Sequence, residues 1–167
     1  MQRNPSMTTF DIRPLVAGDL PAVKAAIDTT GLFPSELLED MTAPFLGGTA
    51  GDEFWLVAAE DGRAGAVAYC APERMTSGTW NLLLIAVRED RQGRGLGGLL
   101  TRRVEHEAAG RGGRILLVET SGLPAFERTR AVYRRLGYSE EARIRDFYAA
   151  GDDKIVFRKA IGRADGG

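Results

Sequence analysis

The chain has 167 residues, 44% hydrophobic and 27% charged, with one cysteine, one histidine and a net charge of −1. That length suits one domain with a core of its own, and the composition excludes a disordered or fibrous chain. Cys70 alone makes neither an internal disulfide nor a multi-cysteine metal site; with His106 the lone histidine, the zinc and Cys–His nucleophile constellations fall away and no metal is expected.

No apolar run reaches the ~20 residues of a membrane span and no secretory leader opens the chain, so a protein of the reduced cytoplasm without membrane contact is expected. The near-neutral balance argues against a nucleic-acid partner. The charge is uneven, however. Residues 1–87 carry 5 basic and 11 acidic side chains, and residues 88–167 carry 17 and 12. The second half thus suits an anionic ligand, although ordinary surface charge produces the same split.

Residues 1–8 and 163–167 are expected to be loose ends, leaving 9–162 as a single domain. Phe10–Leu15 reads as a short strand. Asp19 is a candidate N-cap, Pro21 suits a first helical turn, and Leu20, Val23 and Ile27 repeat at helical spacing up to Gly31. Pro34–Leu46 gives a weaker helix, stopped by Gly47 and Gly48. Phe54–Ala59 and Arg63–Cys70 flank Asp61-Gly62 as a hairpin. Thr79–Val87 is nearly all apolar and predicts a central strand buried on both faces. After the polar residues Arg88–Gln92 and a run of glycines, Leu96, Leu99, Leu100 and Val104 predict a helix that ends by Gly110–Gly113. Arg114–Thr120 is another buried strand, Pro124–Leu136 a helix closed by Gly137, and Ala142–Ala149 with Lys154–Lys159 a final antiparallel pair. The order β α α β β β α β α β β is mixed α/β, with helices on both faces of one sheet.

The glycine run Gly93-Arg94-Gly95-Leu96-Gly97-Gly98 lies between a strand and a helix, with Arg88, Arg91 and Arg94 around it. Glycines there let backbone N–H groups approach a ligand, and the new helix adds free N–H groups and a partial positive charge. A phosphate-bearing ligand is the natural partner. Gly93, Gly95 and Gly98 also fit a dinucleotide fingerprint, with Glu119 roughly twenty residues later. Placement opposes that reading: five polar residues separate the strand from the first glycine, and the strand is the fourth in the chain. A P-loop is excluded because no Gly-Lys-Ser/Thr follows. A purely structural turn stays open.

Gln92-Gly93-Arg94-Gly95-Leu96-Gly97 resembles the Gln/Arg-x-x-Gly-x-Gly/Ala signature of the GNAT superfamily of N-acetyltransferases. Upstream, Leu84-Ile85-Ala86-Val87 is similar to that family's central strand; downstream, Ala131 to Tyr138 is similar to its Ala-x-Tyr-x-x-x-Gly-Phe/Tyr helix end. One departure is Glu89, where the family often has proline. The resemblance implies a mixed, mostly antiparallel sheet of six to seven strands, about four flanking helices, and splayed central strands. It implies a single N-acetyltransferase domain over 9–162. Acetyl-CoA would be the cosubstrate, held along Ile85, Ala86 and Val87 and by the amides of Gln92, Gly93, Arg94, Gly95, Leu96, Gly97 and Gly98.

The chemistry implied is direct transfer of an acetyl group to a primary amine of a small molecule or peptide. An alkylamine is mostly protonated at neutral pH, and freeing it costs about 4 kcal/mol at pH 7.4. A placed base recovers much of that, at roughly 10²–10⁴-fold in rate. By resemblance Tyr133 is the general acid for the leaving thiolate and Glu119 the base; otherwise Tyr133 is a packed aromatic and Glu119 a charge that pairs with a neighbour. Cys70 reads as a small buried thiol, His106 as solvated, and Trp80 and Phe54 as core. Arg134 and Arg135 suit either a CoA phosphate or an exposed helix face. The resemblance implies acceptor contacts from Thr29–Leu46 and Arg145–Asp153, where Glu36, Glu39, Asp40, Asp152 and Asp153 would favour a cation, although ordinary surface charge is the slightly preferred reading of these residues. A homodimer stays open. The competing class is an acyl-CoA-binding sensor or regulatory module without transfer activity.

Overall fold

The computed structural model describes residues 9–162; the expected loose ends, 1–8 and 163–167, lie outside the described residues. The strands are β1 (Asp11–Pro14), β2 (Phe54–Glu60), β3 (Arg63–Pro72), β4 (Thr79–Val87), β5 (Ile115–Ser121), β6 (Ser139–Ala149) and β7 (Asp152–Ala160). The helices are α1 (Leu20–Thr30), α2 (Leu38–Leu46), α3 (Leu96–Gly110) and α4 (Glu127–Arg135). They form one sheet in the order β1-β2-β3-β4-β5-β7-β6, in which only β4 and β5 run parallel. Both the element order and the mixed, mostly antiparallel architecture are those expected.

Strand alternation divides the sheet between two cores. Phe54, Leu56, Ala68, Leu82, Leu116, Val118, Ile155 and Phe157 face α3 and α4, where they meet Leu96, Leu100, Val104 and Tyr133. Trp55, Val57, Val67, Leu84 and Ala86 face the other way, onto Val23, Ile27 and Leu38 of α1 and α2. The helices expected over 34–46 and 124–136 both open as 3-10 turns, at Ser35–Leu37 and Pro124–Phe126, before becoming α-helical. Asp19 precedes α1 but does not cap it. Its carboxylate is occupied by Arg13 at 2.7 and 2.9 Å and by the Val16 N–H at 2.9 Å.

β4 is not buried throughout. Leu84 pairs with Tyr69 and Leu82 with Cys70, so Leu83 has no partner on β3; it is a bulge residue and is 52% exposed. On its other side β4 pairs with β5 only from Thr79/Ile115 to Leu82/Val118. Beyond that point the strands part: β4 runs on to Val87, while β5 continues beside β7 to Ser121. The central strands therefore splay from the bulge onward. Among the described residues no helix is long and apolar enough to cross a membrane.

Leu100 is fully buried where α3 packs on β2, β3 and β4. Leu100→Ala is expected to cost about 2–5 kcal/mol, read as a lower urea midpoint with unchanged m-value.

Candidate active site

Three parts of the chain meet at the fork between β4 and β5. The first is the glycine turn. Gly93 and Gly95 have φ of 76° and 78°, a region that side chains with a Cβ rarely enter. The turn Gln92–Gly95 is exposed, and Leu96, buried in the core, anchors the start of α3 behind it. The first helical bond runs from the Leu99 N–H to the Gly95 carbonyl at 3.1 Å, so the N–H groups of Leu96, Gly97 and Gly98 have no intrahelical acceptor. A Cβ built on Gly97 would stand 3.7 Å from Val87, which puts this helix end beside the end of β4.

The second part is the open edge of β4. The Arg88 N–H bonds to the Gly65 carbonyl, toward β3. Backbone direction alternates along a strand, so the groups of Ile85 and Val87 point toward the fork and those of Ala86 toward β3. At the mouth the Gln92 side-chain amide donates to the Val87 carbonyl at 3.0 Å.

The arginines near the turn are not free for a ligand. Arg88 is paired with Asp90 at 2.8 Å; Arg91 pairs with Glu60; Arg94 lies 3.7 Å from Glu60 and over the Phe10 ring. Arg134 is likewise engaged by Glu127 at 2.9 Å and Glu140 at 3.6 Å.

The third part is a pair of candidate acid and base groups on opposite faces of the fork. Tyr133 projects from α4 into the core that contains Leu116 and Val118. Its ring packs edge-on to Tyr138 and beside Phe157, and burial holds its phenol well above the ordinary tyrosine value. Arg130 sets the position of α4: it is buried and donates to the Ser121 and Leu123 carbonyls at 2.6 and 3.0 Å, at the end of β5.

Glu119 is the first β5 residue beyond the last β4 pair, and alternation turns it to the face opposite Val118. Its carboxylate pairs with the Lys154 ammonium at 2.8 Å and accepts from the Asn81 amide at 3.4 Å. The same amide donates to Glu73 at 2.8 Å. Asn81 is 3% exposed, and its carbonyl oxygen has no hydrogen-bond partner among the described residues. β6 reaches this cluster because its pairing with β7 breaks between Ile144 and Ala149, with Asp146 at φ 54°. Phe147 thereby lies 3.7 Å beneath Lys154, and Tyr148 stands near enough to Glu119 and Asp152 for their charges to raise its phenol, although burial is the larger cause.

The structure thus groups Ile85, Val87, Gln92–Gly98, Glu119 and Tyr133 around one fork. Cys70 lies opposite Leu82 on β3 as a buried thiol that burial pushes up to about 12, and His106 is exposed on α3. Glu36, Glu39 and Asp40 are exposed on and before α2, whereas Asp152 accepts from Ser121 and Asp153 is paired with Arg143. Sequence reasoning missed Asn81, Glu73, Lys154, Phe147 and Arg130. Asn81 had a signal, as the one amide inside the apolar run Trp80–Val87; the others needed the register. Among the described residues no group of three or more His, Cys, Asp or Glu side chains could hold a metal ion.

Residues 50–140 match the family model described as an acetyltransferase (GNAT) domain. A crystal structure from Desulfovibrio desulfuricans assigned to the GNAT acetyltransferases is 34% identical, with TM-score 0.85, covering 92% of this chain and 99% of that one. The ribosomal-protein-S18-alanine N-acetyltransferase of Escherichia coli is 24% identical, with TM-score 0.74 and coverage of 93% and 96%. The protein yncA of Salmonella typhimurium, solved with acetyl-CoA, is 18% identical, with TM-score 0.74 and coverage of 94% and 96%. No protein of curated function matches the sequence.

The Glu73–Asn81–Glu119 contacts make a direct prediction. Asn81→Asp would place three carboxylates together and cost about 1–3 kcal/mol at pH 7.5. The repulsion raises the folded-state carboxyl pKa values, so the deficit is present above them and shrinks as pH falls toward 4. Thermal unfolding at both pH values checks this; an equal deficit at each would mean that the three side chains do not interact.

Proposed function

The chain belongs to the GNAT acetyltransferase family, and on that premise we propose that it transfers the acetyl group of acetyl-CoA directly to a primary amine of a small molecule or peptide in the cytoplasm. The observation that carries this reading is the fork: an unpaired strand edge, Leu83–Val87, followed through the short 3-10 turn Glu89–Arg91 by a glycine turn and a helix N-terminus. A pantetheine arm lies along such an edge as an added strand, taking the backbone groups of Ile85 and Val87, with Ala86 as the stem between them. The amides of Gln92–Gly98 take the pyrophosphate. With the nearby arginines already paired, backbone rather than side-chain charge does most of the holding. The acetyl-CoA in the Salmonella neighbour supports the same cosubstrate here.

In this reading the thioester sits between the two faces of the fork. The amine comes from the Glu119 face, where Leu83, Phe147 and Tyr148 are exposed. Glu119 accepts its proton, directly or through water, and the freed amine attacks the carbonyl carbon. On the other face the Tyr133 hydroxyl protonates the departing thiolate. The burial that raises its phenol keeps it protonated across the working range.

Acetyl-CoA at 100 times its dissociation constant is expected to add about 2.7 kcal/mol of stability, seen as a raised Tm that NAD does not reproduce. Gly95→Val is expected to weaken that binding while leaving a folded protein, because its Cβ points into open space and the cost is backbone strain of about 1–2 kcal/mol. Stabilisation by NAD alone would return the dinucleotide reading.

A thiol-release assay against amines, polyamines, amino acids, aminoglycosides and peptides tests transfer. Tyr133→Phe is expected to lower kcat by about 10²–10⁴-fold with little change in acetyl-CoA affinity. The wild-type rate should hold through about pH 10, the ordinary tyrosine value, since the shielded phenol has not yet ionised there. Full activity of Tyr133→Phe would reduce Tyr133 to packing. Binding of acetyl-CoA without turnover on any amine would favour the sensor.

A further inference from the structure

We propose that Lys154 is itself an acetyl acceptor: supplied with acetyl-CoA and no external amine, the protein acetylates its own Lys154 ε-amine. The proposal rests on the transferase reading above. It starts from a contact that reading does not require. The Lys154 Nζ is 2.8 Å from the Glu119 carboxylate, the group cast as base, and 3.7 Å above the centre of the Phe147 ring. A carboxylate on one side and an aromatic face on the other is the setting that would hold an incoming alkylammonium. Lys154 already fills it, from β7 on the same sheet face as Glu119, one diagonal step away in register.

Reach and order favour the step. Glu119 lies immediately past the point where β4 and β5 part, so an amine in contact with it stands at the fork. The side chain is only 12% exposed and fixed by two partners, so its freedom has been lost before any ligand arrives. Residue type matters too. The chain has three lysines, Lys24, Lys154 and Lys159, among 22 basic side chains. An arginine at 154 would keep the ion pair with Glu119 but would offer no amine to acylate. The other two lysines are elsewhere: Lys159 is tied to Glu105 of α3 at 2.9 and 3.1 Å on the opposite face, and Lys24 is exposed on α1.

The Lys154 ammonium gives one proton to Glu119, and the neutral Nζ forms a bond to the acetyl carbonyl carbon. The carbon–sulfur bond breaks with its electron pair on sulfur, which takes a proton from Tyr133. The nitrogen sheds its second proton, and Glu119 and Tyr133 return to their starting states through solvent. The products are Nε-acetyllysine, free thiol CoA and one proton. The modified side chain is neutral, so Glu119 loses its ion-pair partner.

The test is incubation of the full chain with acetyl-CoA alone, followed by intact mass and peptide mapping. One acetyl increment on the peptide carrying Lys154 is expected, at a first-order rate independent of protein concentration. Labelling should cease in urea, slow by at least about tenfold in Tyr133→Phe, and be absent at residue 154 in Lys154→Arg. Label spread evenly over Lys24, Lys154 and Lys159, or persisting in urea, would show ordinary chemical acetylation and overturn the proposal. Thiol release with external amines but no label on Lys154 removes this inference and leaves the transferase reading intact. Neither label nor release with any amine removes both.

Discussion

β4 carries one residue more than β3 can pair, and the arrangement of the site follows from that mismatch. Leu83 is left without a partner, the strand twists at that point, and its ladder to β5 stops one residue earlier, at Leu82. A continuous ladder would have used the inward groups of Ile85 and Val87 within the sheet and left β4 no open edge. The parted strands hold because each finds cover elsewhere. β5 keeps β7 along its full length, and β4 keeps β3 up to Val87. Arg130 then ties α4 to the free end of β5, so the buried tyrosine follows that strand rather than its departing neighbour.

Electrostatics around the fork works by internal matching. The acidic first half and basic second half of the chain suggest a field directed at an anionic ligand. In the folded protein the arginines nearest the glycine turn are spent on partners, with Arg91 and Arg94 held by Glu60 of β2. The charge split therefore stitches the N-terminal half to the turn. What remains for an anion is a row of backbone N–H groups, whose directions the glycine φ values set.

Most of the fold was legible because it is written in local patterns. The run Thr79–Val87 is recovered as β4 to the residue, and Gly31 ends α1 in the left-handed conformation expected of a helix-terminating glycine. Gln92–Gly98 and Tyr133 were legible because their spacing resembles a known signature. The bulge was not, since no property of Leu83 itself distinguishes it from Leu82 or Leu84. Nor was the environment of Glu119. Phe147 and Lys154 lie on the two strands of the β6–β7 hairpin, whereas Asn81 and Glu119 lie far upstream on β4 and β5, and only the register of the four strands joins them. Asp19 was misread for a related reason: a cap signal looks forward along the chain, whereas the side chain turned back to Arg13 and Val16.

β6 contributes Phe147 and Tyr148 to the neighbourhood of Glu119, yet all of its residues are exposed. Substitutions on such a strand usually change stability by no more than about 0.5 kcal/mol, against several for the buried residues of β4 and β5. The molecule thus divides its tolerance of mutation unevenly. The strands that carry the fork are constrained by packing, while β6, exposed beside Glu119, is free to drift. In the transferase reading proposed above, acceptor preference is therefore the property of this fold that evolves most cheaply, because a lineage can rewrite β6 without reopening the question of whether the protein folds.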